Sequence, residues 1–259
     1  MIDTRALVDR LHRLESVAII PRVTSTNLVA RRILDECLDN ELSLPQAIII
    51  AGEQFAGRGR NERTWSSPAG KGIYATVLVT RPASELPLFP LEIASAVATY
   101  LRDTFAVDAR IKWPNDILAN GRKIAGLLIE ARVQADRVHM LVGIGVNLEP
   151  FESDTRPNAT SVRELGGAKY AGIDDAVTKF VEHLDQRLNT KPTRVLDEWR
   201  ELSVHKAGDR IASVIGDRTI EGTWSGIDEH GRALIQSGGE TIAVSAGDIV
   251  LTTTPPASS

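Results

Sequence analysis

Residues 107–147 of the chain read VDARIKWPNDILANGRKIAGLLIEARVQADRVHMLVGIGVN, a stretch rich in β-branched and other apolar residues with turn signals between them. Such a pattern is typical of consecutive β-strands. The pair Asn120-Gly121 at its centre is the one preferred in two-residue type I′ hairpin turns. The predicted strands are 107–113, 117–119, 123–132 and 138–147.

Helical and strand patterns alternate on both sides of this stretch. Ser25-Thr26-Asn27 supplies N-capping residue types in front of a helical pattern. Residues 149–163 show no regular pattern and are predicted to be irregular. Apolar spacing predicts a short opening helix through Leu7, Leu11 and Leu14, helices in 28–38, 93–105, 174–188 and 195–202, and strands at 47–51 and 73–80.

The sequence changes in character after Leu202. Short β-rich runs at 210–215, 219–227, 233–236 and 241–244 alternate with turn signals, among them Gly216-Asp217, which predicts a small all-β barrel. The predicted division is a first domain of residues 1–202, a barrel of residues 203–251 and a disordered tail of residues 252–259.

The composition of the 259 residues is that of a globular protein, with 42% hydrophobic and 25% charged residues. The net charge of −4 argues against a surface built mainly to hold nucleic acid, where a basic excess is expected. The N-terminus lacks a signal-peptide pattern, and no apolar run reaches membrane-spanning length. We therefore expect a cytoplasmic protein.

Residues 54–65 carry the densest chemical signal, with three arginines between glycines and only Glu62 to pair with them. Glycine lets a ligand approach the backbone closely, and arginine offers a rigid fork of donors for phosphate or carboxylate oxygens. This loop therefore suits an anionic ligand, although a solvated basic loop would share its composition. It is not a phosphate-binding Walker A loop, because no Gly-x-x-x-x-Gly-Lys-Ser/Thr occurs.

Three further segments place polar or small residues at the ends of predicted strands or inside them. Lys112-Trp113-Pro114-Asn115-Asp116 lies where proline must interrupt a strand, which favours a polar site or a plain turn. Lys123 opens an apolar strand that carries the small residues Ala125 and Gly126. Gly143 and Gly145 lie inside a predicted strand, where glycine often marks the close approach of a ligand.

In this order and at these spacings, the four segments resemble the catalytic domain of the biotin–protein ligases. The resemblance is strong over residues 23–147 and looser beyond them. It implies an α+β fold, in which a mixed sheet with flanking helices is followed by a small C-terminal SH3-like β-barrel. It also implies a short form, because too few residues precede Ser25 for the N-terminal DNA-binding domain that some of these ligases carry.

The resemblance implies a role for each matching residue. Lys123 is expected where biotin's carboxylate meets the α-phosphate of ATP, with Arg58 and Arg60 in a loop that closes over biotin and the acyl-adenylate. Lys123, Arg58 and Asp116 are the expected catalytic residues, and Asp116 is the candidate to accept or orient the proton of the acceptor lysine. The expected biotin-binding residues are Ser25, Thr26, Gln54, Gly57, Arg58, Arg60, Lys123, Gly126 and Gly143. The expected nucleotide-binding residues are Arg60, Arg63, Trp65, Lys112, Asn115, Asp116 and Asn147.

The implied activity is that of a ligase that forms a carbon–nitrogen amide bond. ATP and biotin would give biotinyl-5′-AMP and diphosphate, and the biotinyl group would pass to a specific lysine of a biotin carboxyl carrier protein. ATP and Mg²⁺ are the expected cofactors, without an assigned metal ligand set. Neither DNA nor a membrane is expected as a partner. The protein could be a monomer or a homodimer, and the sequence does not decide between the two.

Three alternatives stand beside this interpretation. Lipoate– or octanoate–protein ligases and transferases share the expected fold, but the loop motif and Lys-Trp-Pro-Asn-Asp match the biotin family. A repressor is disfavoured by the few residues before Ser25 and by the net charge. A binding module without catalysis is disfavoured because binding alone requires no cationic reaction centre such as Lys123 with three loop arginines.

Overall fold

The computed structural model describes residues 2–152, 158–189, 194–215, 218–245 and 247–251. Its helices are α1 (Thr4–Val8), α2 (Thr26–Asp39), α3 (Phe89–Phe105), α4 (Ile173–Asn189) and α5 (Val195–Leu202). The strands of the larger sheet are β1 (Ser16–Ile20), β2 (Ala47–Ala51), β3 (Gly72–Pro82), β4 (Arg110–Lys112), β5 (Asp116–Ala119), β6 (Arg122–Gln134) and β7 (Arg137–Asn147). Those of the smaller sheet are β8 (Arg210–Ile215), β9 (Arg218–Ile227), β10 (Ala233–Ser237), β11 (Glu240–Val244) and β12 (Asp248–Leu251).

Seven strands form a mixed sheet in the order β1-β2-β3-β7-β6-β5-β4. The edge strand β1 pairs with β2 in parallel, and the other neighbours pair antiparallel. The hairpin between β5 and β6 has positive φ at Asn120 (49°) and Gly121 (73°), as a type I′ turn requires. The strand-rich centre of the sequence therefore folds as its pattern predicts.

Helices cover both faces of this sheet. Ala30 and Leu34 of α2 pack on one face against Ile49, Leu78 and Leu141. Helices α3, α4 and α5 lie on the opposite face and contribute to the larger core. Strand β2 is buried along its whole length, because its side chains point alternately into the two cores.

The smaller sheet follows α5 and has the order β11-β10-β9-β8-β12, with all neighbours antiparallel. The predicted fold class, an α+β domain with an SH3-like β unit after it, is confirmed. The division near Ser203 stays a prediction; α5 ends at Leu202 and the smaller sheet begins at Arg210. The turn predicted at Gly216-Asp217 and the tail predicted at 252–259 lie outside the described residues.

The structure differs from the sequence prediction in four elements. The opening helix ends at Val8, because the backbone N–H groups of residues 12–14 donate to the Asp185 carboxylate instead of continuing the helix. Strands β1 and β12 were not predicted, and β4 is only three residues long. In the parts of the chain that the structure describes, no helix is long and apolar enough to cross a membrane.

Candidate functional site

A cavity of about 650 Å³ opens where the loop of residues 54–65 faces strands β5, β6 and β7. The start of α2 lies at one end of it, and the β5–β6 hairpin lies at the other. A cavity of this size accommodates a ligand of small-molecule dimensions. The four sequence segments singled out above all contribute side chains to its lining.

The end near α2 is polar and its groups are held in a fixed arrangement. Gln54 Oε1 accepts hydrogen bonds from the Thr26 backbone N–H (2.8 Å) and from the Thr26 hydroxyl (3.1 Å). Gln54 Nε2 donates to Ser67 Oγ at 2.9 Å, and the Thr76 hydroxyl lies 2.6 Å from Asn27 Oδ1. This end is therefore suited to a ligand that both donates and accepts hydrogen bonds.

Asn27 was not predicted as a site residue, since its position in the sequence suggested only helix capping. Its side chain is buried, lines the cavity and has no hydrogen-bond partner for Nδ2 among the described residues. Gly143 of β7 makes room for it, because a Cβ there would collide with Asn27 Oδ1. Asn27 thus brings an unused donor to the polar end.

The Trp65 indole lies against the glycines of β6 and β7. A Cβ at Gly145 would collide with its five-membered ring, and a Cβ at Gly126 would lie 3.0 Å from its Cζ3. The glycines therefore allow the aromatic ring to approach the backbone of both strands closely at the cavity wall. Other residues of the lining that the sequence did not single out are Thr64, Ala75, Leu118, Gly121, Leu127, Leu128, Ile144, Asn158 and Ala159.

The arginine-rich loop folds back on itself as a small hairpin. Arg58 and Thr64 form an antiparallel bridge, and the Trp65 N–H donates to Gly57 O at 2.9 Å. Asn61 and Glu62 at its tip both have positive φ, 52° and 58°. This turn brings the arginines at 58, 60 and 63 to the cavity wall.

Ion pairs and hydrogen bonds orient two of these arginines. Arg58 Nη1 lies 3.7 Å from the Glu130 carboxylate on β6. Arg60 Nη1 donates to Asn115 Oδ1 at 2.9 Å and to Gly247 O at 3.3 Å, so Arg60 contacts both the 112–116 segment and the residue that precedes β12. The hairpin is therefore tethered to three parts of the chain.

Lys123 lies at the start of β6, beside Trp65 and opposite β5. Its Nζ forms an ion pair with Asp116 and lies 5.3 Å from the Trp65 ring centroid. Its backbone pairs with the segment that follows residue 157: Lys123 N donates to Asn158 O, and Thr160 N donates to Lys123 O, both at 2.9 Å. The ammonium group is thus fixed at the cavity wall with one carboxylate partner.

Comparison with known proteins identifies the fold family. The biotin/lipoate A/B protein ligase family matches residues 19–147, and the biotin protein ligase C terminal domain matches residues 210–252. A biotin--[acetyl-CoA-carboxylase] ligase of Mycobacterium tuberculosis is 30% identical over 267 residues, which cover 96% of this chain and 95% of that protein. The chain belongs to the biotin/lipoate A/B protein ligase family.

Two other members of this ligase family illustrate the similarity. A biotin--[acetyl-CoA-carboxylase] ligase of Paracoccus denitrificans is 34% identical over 206 residues, covering 73% of this chain and 84% of that one. A biotin protein ligase of Aquifex aeolicus, solved in complex with biotin and ATP, superposes with a TM-score of 0.70. It covers 92% of this chain and 99% of its own at 23% identity, which shows a shared fold.

Within this ligase fold, most of the residues predicted for the site line one cavity. Those are Ser25, Thr26, Gln54, Arg58, Arg60, Arg63, Trp65, Lys112, Asn115, Asp116, Lys123, Gly126 and Gly143. Gly57 and Asn147 are not part of the lining. Gly57 packs beside it, since a Cβ there would lie 3.2 Å from Gln54 Nε2, and Asn147 Nδ2 donates to Thr160 O at 2.9 Å.

Proposed function

We propose that this ligase-family member is a biotin–protein ligase. It activates biotin with ATP to biotinyl-5′-AMP and transfers the biotinyl group to a lysine of a biotin carboxyl carrier protein. The observation that carries the proposal is that one cavity joins the polar end at Thr26 and Gln54 to the cationic wall formed by Lys123 and the arginine hairpin. Such a cavity can hold a polar head group and two anionic reacting groups together.

The first step joins two anions, and the cationic wall lowers its barrier. A carboxylate oxygen of biotin attacks the α-phosphorus of ATP, the bond to the bridging oxygen of the β-phosphate breaks, and diphosphate leaves. Lys123 lies where both anions can approach it, and Arg58, Arg60 and Arg63 face the same space. Fixed cationic donors stabilise the charge that builds up as the reactants meet, and holding both reactants reduces the entropic barrier.

The second step transfers the biotinyl group. The amine of the acceptor lysine attacks the acyl carbon of the adenylate, the bond from that carbon to the phosphate oxygen breaks, and AMP leaves. The amine must lose a proton, and Asp116 is the carboxylate among the described lining residues that can accept or orient it. Its ion pair with Lys123 supports this role, since Lys123 is the residue proposed to bind the carboxylate that becomes the reacting carbonyl.

Mg²⁺ is expected to accompany ATP. It prefers oxygen ligands and commonly binds through one or two carboxylates together with substrate phosphates. The described residues contain no ready cluster of three His, Cys, Asp or Glu ligands, so the lining fits a cation held mainly by the phosphates, with Asp116 and Asn115 as protein oxygens. Mg²⁺ would neutralise phosphate charge during the first step.

The polar end of the cavity favours biotin over lipoate or octanoate, the substrates of the alternative activity. The ureido group of biotin offers two N–H donors and a carbonyl acceptor, which can pair with Thr26, Gln54 and Asn27. A dithiolane ring or an alkyl chain would leave the buried Asn27 Nδ2 without a partner, and a buried unpaired polar group costs roughly 1–3 kcal/mol.

The proposal also names the acceptor protein, the cellular compartment and the parts of the cavity that bind ATP and biotin. The acceptor is the biotinyl domain of a biotin-dependent carboxylase, and we place the enzyme in the cytoplasm, acting without DNA or a membrane. We assign ATP to the part of the lining formed by Arg60, Arg63, Trp65, Lys112, Asn115 and Asp116; Asn147 lies outside the lining and donates to Thr160 O. Biotin is assigned to the end lined by Ser25, Thr26, Gln54, Gly126 and Gly143, with Gly57 packed beside Gln54.

A labelling experiment tests this function. The protein is incubated with ATP, Mg²⁺ and a purified biotinyl carrier domain, with biotin or with lipoate, and the mass of the carrier is measured. We expect the mass increase of one biotinyl amide with biotin and no increase when the acceptor lysine is replaced by arginine. A mass increase with lipoate alone would assign the protein to the alternative activity.

A further inference from the structure

The segment between α5 and the smaller sheet lies against the strand that leads into the site. Ile111 of β4 pairs in parallel with Ser203, and Val204 N donates to Ile111 O at 2.9 Å. Further along both segments the contact continues, since the Trp113 backbone N–H donates to His205 Nε2 at 3.1 Å. Residues 203–205 therefore extend along β4 up to the Lys112–Asp116 segment.

His205 is held in one orientation and one protonation state. Its ring is 7% exposed and stacks on Trp224 of β9, with ring centroids 4.4 Å apart and planes inclined by 23°. Burial, with the positive charge of Lys112 beside it, lowers the pKa of His205 to about 4. The imidazole is therefore neutral near pH 7, and because Nε2 accepts a hydrogen bond, the ring proton is on Nδ1.

The presence of a histidine here carries an energetic disadvantage. Nδ1 is buried and has no hydrogen-bond partner among the described residues. An unpaired buried donor costs roughly 1–3 kcal/mol, which a phenyl ring stacked in the same place would avoid. Stacking on Trp224 alone therefore does not explain why an imidazole is present. The acceptor nitrogen Nε2 is the feature that a phenyl ring lacks, and it accepts the hydrogen bond of the Trp113 N–H.

The Trp113 backbone lies between two residues of the cavity wall. Lys112 precedes it, Asn115 follows two residues later, and Asn115 Oδ1 in turn accepts the hydrogen bond from Arg60. The Trp113 side chain is fixed from the smaller sheet as well, since its Nε1 donates to Gly231 O at 3.1 Å. The backbone N–H and the indole N–H of Trp113 thus both donate to residues that follow α5 in the chain.

We propose that His205 is a positioning residue for the ligase reaction, which holds the Trp113 backbone so that Lys112 and Asn115 meet the nucleotide. This inference rests on the proposed function. In this proposal, the binding and use of ATP depend on the part of the chain that follows α5. The biotin end at Thr26 and Gln54 does not, because it is built from α2 and the loop after β2. Loss of the His205 acceptor should therefore weaken ATP use selectively.

The test compares His205→Phe, which keeps a stacking ring and removes the acceptor, with His205→Gln, which keeps an acceptor near Nε2. Steady-state diphosphate release is measured with each substrate varied in turn. We expect His205→Phe to raise the KM for ATP roughly tenfold, with the KM for biotin within about twofold of wild type. His205→Gln should restore most of the ATP affinity. His12→Phe, the same change at an exposed side chain, serves as the control.

Three results would overturn the inference. They are an unchanged KM for ATP in His205→Phe, equal increases in the KM values for ATP and biotin, and equal effects of the Phe and Gln variants. If His205→Phe does not fold, His205→Leu takes its place in the comparison. A wild-type protein that releases no diphosphate with biotin would overturn the proposed function, and this inference with it, whereas an active wild type with unaffected variants would overturn the inference alone.

Discussion

Lys123 and Asp116 form an ion pair across the antiparallel strands β5 and β6 at the wall of the cavity. Asp116 pairs in register with Gly126, so its carboxylate lies beside the strand that carries the lysine. A carboxylate substrate that binds Lys123 must compete with Asp116 or share the ammonium group with it. The pair therefore links the group proposed to bind biotin's carboxylate to the group proposed to act in transfer.

Asp116→Asn should separate the two half-reactions. The amide keeps the size of the side chain and one oxygen for Mg²⁺, but it cannot accept a proton. We therefore expect adenylate formation to stay within about threefold of wild type and transfer to the carrier to fall on the order of a hundredfold. Single-turnover measurements of diphosphate release and of carrier labelling check this. Equal loss in both steps would show that Asp116 acts on the first step too.

Gly145→Ala should displace the Trp65 ring from the sheet. A Cβ at this position would collide with the indole, so the ring must leave the cavity wall or the strand must shift. We expect the KM for ATP to rise roughly tenfold, because the flat surface proposed to pack near the nucleotide is lost. Combining Gly145→Ala with Trp65→Leu should recover thermal stability but not ATP affinity. An unchanged KM in the single variant would contradict the assignment of Trp65.

Asp185→Asn should reduce stability without changing the site. The carboxylate is 2% exposed and accepts three backbone N–H groups, from residues 12–14, at 2.7–2.8 Å. Hydrogen bonds to a charged acceptor are stronger than neutral ones, so we expect a loss of about 2 kcal/mol in the free energy of unfolding. Urea denaturation measures this loss, and the KM values for biotin and ATP should match wild type. A changed KM would show that the segment before β1 influences catalysis.

Glu92→Gln should stabilise the protein increasingly as the pH rises from about 4.5 to about 7. Burial raises the pKa of Glu92 to about 7, although Arg81 and Arg187 act in the opposite direction. In the unfolded chain this carboxyl group ionises near pH 4.5, so folding is penalised increasingly from pH 4.5 to about 7 and constantly above it. We expect nearly equal stabilities at pH 4 and a gain of up to about 3 kcal/mol for the variant at pH 8, since each unit of pKa shift is worth about 1.4 kcal/mol. An equal difference at both pH values would contradict the pKa shift.

The sequence predicted those parts of the fold that depend on local pattern. The Asn120-Gly121 hairpin and helix α5 follow from turn chemistry and from apolar spacing, and both form as predicted. Strand β1 is an edge strand with mixed burial and gives no clean alternation. Strand β12 is four residues long and pairs with β8, more than thirty residues earlier. Such pairings depend on contacts that no short window of sequence contains.

The residues of the site also divide into those that a local sequence pattern indicates and those that depend on long-range contacts. Gly143 and Gly145 could be singled out because glycine inside a strand is unusual by itself. Asn27 could not, since its position in the cavity depends on packing against Gly143, more than a hundred residues away. His205 showed no signal either, because its role follows from two contacts, with Trp113 and Trp224, that only the folded chain creates.

The most direct test of the ligase assignment is diphosphate release from ATP, measured with biotin and separately with lipoate, for wild type and for Lys123→Ala. We expect release that requires biotin and that falls by at least about a hundredfold in Lys123→Ala, because the carboxylate and the α-phosphate lose their shared cation. Release with lipoate but not with biotin, or biotin-dependent release that survives in Lys123→Ala, would contradict this expectation.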